Sequence, residues 1–134
     1  MHPALLAAMR LAVAAVWIYE GLWQKLLRPA PHELAIVQSV ALGPLSPLQL
    51  MRLIGGGETL LGLGVLSGLY ARPLAWLQGV LLVLMNGIGI AFSGGAIADP
   101  VGLVLRNLPL LLCIAALGIH GPGSLAPRQR VAKP

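Results

Sequence analysis

Four apolar stretches, roughly 4–27, 48–69, 74–92 and 101–119, take up most of this 134-residue chain. Each is close to the ~20 residues a helix needs to cross a bilayer. Strands of a membrane barrel need short alternating segments, whereas these runs are continuous and rich in Leu, Ala and Gly. Only 10% of residues are charged, against about 25% in soluble domains, which excludes a conventional soluble fold and a disordered tail. The expected fold is therefore all-α: an integral membrane four-transmembrane-helix bundle formed by residues 1–120 as one domain, followed by a basic tail, 121–134. Ala12-Val13-Ala14 resembles a signal-peptidase site, but Arg10 interrupts the short apolar region before it. The run also continues through Trp17-Ile18-Tyr19, so a span is expected there.

Between spans one and two, Pro31 opens a segment that Gly43-Pro44 closes. Proline is tolerated in a first helical turn and Gly-Pro ends a helix, so Pro31–Leu42 is expected to form a short interfacial helix. It is too short to span.

Four crossings put both termini on one side, together with Arg10, Arg72, Arg128, Arg130 and Lys133. The other side holds Lys25 and Arg28, with Arg52 just inside span two. The positive-inside rule then assigns both termini to the cytoplasm. The net charge of +5 is thereby read as a topology signal and as attraction to anionic lipid, not as a nucleic-acid footprint. Lipid is the expected surrounding, with larger membrane subunits or further copies of the chain as candidate partners.

All four acids fall at or beyond the midplane on the side opposite the termini, beside the bases Lys25, Arg28, Arg52 and Arg106. At about 100° per residue, Arg10, Trp17, Gly21, Gln24 and Arg28 form one stripe of span one, with Glu20 and Lys25 on opposite shoulders. Gly55, Glu58, Gly62 and Val65 share a face of span two, and small residues there permit close helix approach. Charged groups in apolar helices are costly, so they imply pairing or a wet cavity. Two readings are open. One is a polar pocket lined by Glu20, Gln24, Arg52, Glu58, Asn86, Arg106 and Asn107, rimmed by Lys25, His32, Glu33 and Asp99, with Pro31–Leu42 across it. The other is a set of ion pairs that fixes helix register.

Other chemistries find less support. Cys113 is the single cysteine, so a CxxC motif and an intrachain disulfide are absent. His2 and His120 fall near one membrane surface and His32 near the other, ~30 Å of hydrocarbon apart, which disfavours a shared metal or a haem. Gly55-Gly56-Gly57 lacks the Lys-Ser/Thr of a phosphate loop. No Ser/His/Asp arrangement supports nucleophilic catalysis, and no catalytic residue is assigned. Pro109 is expected to kink span four.

Arg10, the run Trp17-Ile18-Tyr19-Glu20-Gly21-Leu22-Trp23-Gln24-Lys25, Pro31-His32-Glu33, Gly57-Glu58 with Gly62, Asp99-Pro100 and Arg106-Asn107 together resemble the pattern of the DoxX-like membrane proteins. The resemblance covers all four spans. It implies a four-helix bacterial inner-membrane protein, with relatives linked to quinone-coupled sulfur oxidation or to thiol and oxidative-stress complexes. On that footing the chain is expected to be a small redox-associated subunit that receives a quinone headgroup or passes protons. Glu20 and Glu58 would handle protons, while Arg52 or Arg106 would hold ring oxygens or a counter-charge. A non-enzymatic scaffold subunit is the alternative, and a small oligomeric transporter a third. The thiol-disulfide branch would need paired cysteines, which this chain lacks.

Overall fold

The computed structural model describes residues 1–40 and 43–124. Ala41 and Leu42, at the end of the expected interfacial helix, and Arg128, Arg130 and Lys133 of the basic tail lie outside the described residues. Helix α1 (Pro3–Ile18) passes directly into a π-helical segment (Tyr19–Leu27). Then follow α2 (Pro31–Val40), α3 (Pro47–Ser67), α4 (Ala71–Phe92) and α5 (Pro100–His120). Four helices are long and apolar enough to cross a membrane: Pro3–Leu27, Pro47–Ser67, Ala71–Phe92 and Pro100–His120. The chain is thus an all-helical, multi-pass membrane protein.

The helix starts follow from local chemistry. Proline occupies a first-turn position of α1, α3 and α5, where its missing N–H costs no helical bond. Ser46 closes a capping box on α3: Gln49 N donates to Ser46 Oγ at 3.2 Å and Ser46 N to Gln49 Oε1 at 2.9 Å. Asp99 caps α5 by accepting from Gly102 N at 2.8 Å. The α3–α4 connection is short because Gly68 and Tyr70 both take left-handed backbone, at φ 71° and 53°. Helix α5 continues through Pro109 to His120.

The helices pack most densely as two pairs, α1 and its π segment against α3, and α4 against α5, with α1 also touching α5. Buried Leu6, Val13, Ala14, Trp17, Leu61, Val65, Ile114 and Leu117 form the core. Within it Trp17 Nε1 donates to Gln78 Oε1 at 2.9 Å, joining α1 to α4. Helix α2 lies against α3 and α4. The segment after α5 meets the start of α1, since Ser124 N donates to Pro3 O at 3.1 Å. The bundle therefore has a termini end and, opposite, an α2 end. The outer faces of α4 and α5 expose Val83, Leu84, Leu105 and Leu112, a surface suited to lipid.

Candidate functional site

The seam between α1 and α3 is built on glycine. A methyl group at Gly21 would lie 2.6 Å from Gly55 O, and one at Gly55 would lie 2.6 Å from Lys25 Cβ. At Gly62 it would lie 2.7 Å from Ile18 Cγ1. Hydrogen atoms at these positions let the two backbones approach until side chains one turn away meet across the seam.

What meets there is Lys25 and Glu58. Lys25 is 4% and Glu58 6% exposed, and Lys25 Nζ lies 3.0 Å from Glu58 Oε2. The same ammonium lies 3.5 Å from Glu33 Oε2 on α2 and 3.9 Å from Glu20 Oε2 on its own helix. Helical side chains lean toward the N-terminus of their helix, so Lys25, near the end of the first span, leans back into the bundle toward Glu58. Three carboxylates surround one ammonium, which leaves the group a formal charge of −2 when all four are ionised. Glu33 also meets exposed His32, with Nε2 3.8 Å from Oε1. Glu58 Oε2 is buried, and among the described residues the Lys25 ammonium is the one group placed to donate to it.

The π segment explains why Glu20 and Lys25 meet. Regular α-periodicity sets them on opposite shoulders, and this placement is corrected by the structure. In a π-helix the backbone bonds run i→i+5, so a residue comes to lie over the one five positions before it. The wider turns absorb about one residue. The buried stripe that begins with Arg10, Trp17 and Gly21 then continues through Lys25 in place of Gln24. Gln24 is half-buried, with Nε2 3.4 Å from Tyr19 Oη, and exposed Arg28 lies over the Trp23 ring, 5.1 Å from its centroid.

The remaining polar residues form separate groups. Asn107 Nδ2 donates to Asn86 Oδ1 at 3.1 Å, and Asn86 Nδ2 to Leu82 O at 2.8 Å, joining α4 to α5. Arg106 is exposed, donates from Nε to Gly102 O at 3.0 Å and lies 3.8 Å from Asp99. Arg52 is exposed on α3. The structure thus brings Glu20 and Glu58 together with two residues expected at the rim, Lys25 and Glu33. It leaves Arg52, Arg106 and the asparagine pair outside that group.

Two features escape a reading by composition and spacing. Lys25 is the hub of the cluster, and only the local switch to π-helix reveals it. Gln78, 1% exposed, holds the Trp17 indole; a lone glutamine inside the apolar third span was the available signal. Among the described residues no three His, Cys, Asp or Glu side chains are arranged to hold a metal ion. Two cavities lie toward the termini end. One is an apolar groove of about 300 Å3 between α4 and α5, lined by residues such as Trp76, Gly79, Leu111 and Gly118; the other is a small cavity beside Arg10.

The sequence model described as the DoxX-like family matches residues 14–115 of this chain. Neither a curated protein nor a solved structure matches it.

Proposed function

The chain belongs to the DoxX-like family, and on that premise we propose that it is a small redox-associated membrane subunit whose own contribution is to exchange a proton at the Lys25 cluster. One observation carries this reading. Glu58 Oε2 is buried, and the ammonium 3.0 Å from it, the donor beside it among the described residues, is shared with two further carboxylates. A proton added to this group reduces its excess negative charge in a medium where such charge is costly. Glu33 and His32, at the surface of α2, connect the cluster to the aqueous boundary. Lys25 holds the three carboxylates close enough for a proton on one to alter the others.

Family resemblance implies quinone as the redox partner. The groups around Lys25 are engaged with one another, and Arg52 and Arg106 pair with none of the three glutamates, so these residues do not form a cradle for a quinone headgroup. The role proposed is proton exchange alone. By the charge bias of Arg10, Arg72 and the basic tail, we assign the termini end to the cytoplasm and the cluster to the outer side of a bacterial inner membrane.

Infrared pH titration of the purified chain in bilayers tests the proposal. The expected result is a carboxyl band that appears and disappears with pH and is lost in Glu58→Gln. Spectra of wild type and Glu58→Gln that match at every pH would overturn it.

A scaffold role is the second reading, favoured by the apolar faces that α4 and α5 leave uncovered. Crosslinking in native membranes that recovers no partner counts against it.

A further inference from the structure

At the termini end, opposite the glutamate cluster, Arg10 is 4% exposed, and its Nε and Nη1 are buried without a hydrogen-bond partner among the described residues. It lies roughly 10 Å along α1 from the helix start. All four acidic side chains of the chain are committed at the other end: Glu20, Glu33 and Glu58 lie around Lys25, and Asp99 lies beside Arg106. Arginine keeps its charge in proteins, so the bundle encloses a cation with no carboxylate among the described residues to balance it.

Arg10 lines a cavity of about 10 Å3 together with Gln78, Gly68, Ala71 and Leu74, room for one water-sized or monoatomic particle. Beside Arg10, Gln78 and the start of α4 bring donors to it, and the ends of α3 and α5 also border it. An indole N–H only donates, so Trp17 fixes Gln78 with Oε1 toward α1 and occupies one of that oxygen's two lone pairs. Gln78 Nε2 spends one N–H on Leu74 O at 3.0 Å and keeps another. Ala71 opens α4, where first-turn N–H groups lack helical partners and the helix dipole favours negative charge.

We propose that Arg10, Gln78 and the first turn of α4 form a buried site for a single monoatomic anion of the halide class. Such an ion balances the guanidinium charge, which a water molecule cannot do, and it fits a cavity too small for phosphate or a lipid headgroup.

Thermal unfolding of the full chain in neutral detergent tests this, with chloride exchanged stepwise for gluconate at fixed ionic strength. The expected result is an upward shift in apparent Tm that saturates with chloride, is reproduced by bromide and is absent from Arg10→Gln. Three outcomes overturn the proposal. One is a Tm independent of the anion, as a water bridging Arg10 to the end of α3 would give. Another is a shift that persists in Arg10→Gln, which assigns the effect to exposed basic residues. The third is stabilisation by anionic phospholipid with none by chloride. If Arg10→Gln does not fold, chlorine NMR of the wild-type chain decides. Line broadening that saturates at one site per chain supports the site, and broadening that never saturates overturns it.

Discussion

Lys25 Nζ and Glu58 Oε2 stand 3.0 Å apart, both buried, on helices whose backbones touch through Gly21 and Gly55. Removing one partner of a buried pair leaves an uncompensated charge and costs about 3–5 kcal/mol, whereas replacing both by apolar groups is often close to neutral. Lys25→Met is therefore expected to lower stability by several kcal/mol, and Lys25→Met/Glu58→Leu to recover most of the loss. A double-mutant cycle in detergent unfolding measures the difference.

Packing at the seam predicts a contrast among adjacent glycines. Gly55→Ala places its methyl against Lys25 Cβ and Gly21 O, and overpacking of this kind costs about 1–3 kcal/mol. Around Gly56 and Gly57 nothing lies within 4 Å of the added carbon, so alanine there gains up to about 1 kcal/mol of helix propensity. Apparent Tm values of the three single variants should fall on opposite sides of wild type.

If the π segment accommodates one extra residue, removing a residue from it restores α-helix while keeping Lys25 on the buried stripe. Deleting Leu22, which is exposed, should leave Tm near wild type and retain the pH-dependent carboxyl band. Deleting exposed Ala8 from α1 turns Pro3–Ala7 by one position relative to the rest of the bundle, moves Leu6 and Ala7 off the buried face and should lower Tm. Circular dichroism with the infrared titration distinguishes the two.

Arg52 and Arg106 are exposed, and Arg106 makes only a surface pair with Asp99, at 3.8 Å. Pairs of this kind contribute about 0–1 kcal/mol. Arg52→Gln and Arg106→Gln should each shift stability by no more than that and leave the Glu58-dependent infrared band unchanged. A lost band in either variant would mean that the arginine belongs to the site.

Much of the fold was legible because the bilayer imposes one strong rule: apolar runs of spanning length become helices, and these lie within a few residues of the expected bounds. The Gly55, Glu58, Gly62, Val65 face was legible too, since α3 keeps regular α-periodicity and all four residues are buried. The site was only half legible. Glu20 and Glu58 stand out by depth, but Lys25 takes its place through a change of helix type that no residue in Tyr19–Leu27 signals by identity. Arg10 displays the same limit. As a charge count it reports topology, and only its burial without a partner distinguishes it from Arg72, which is exposed.

The pairing of α1 with α3 also bears on how the protein enters the membrane. Every group of the Lys25 cluster, and every glycine of its seam, precedes Ser67. Domains and their parts emerge from the ribosome N-terminal first. The buried lysine can therefore meet its carboxylates while α4 and α5 are still unmade, so its charge is matched during synthesis. The second hairpin can then join a partner whose buried lysine is already paired.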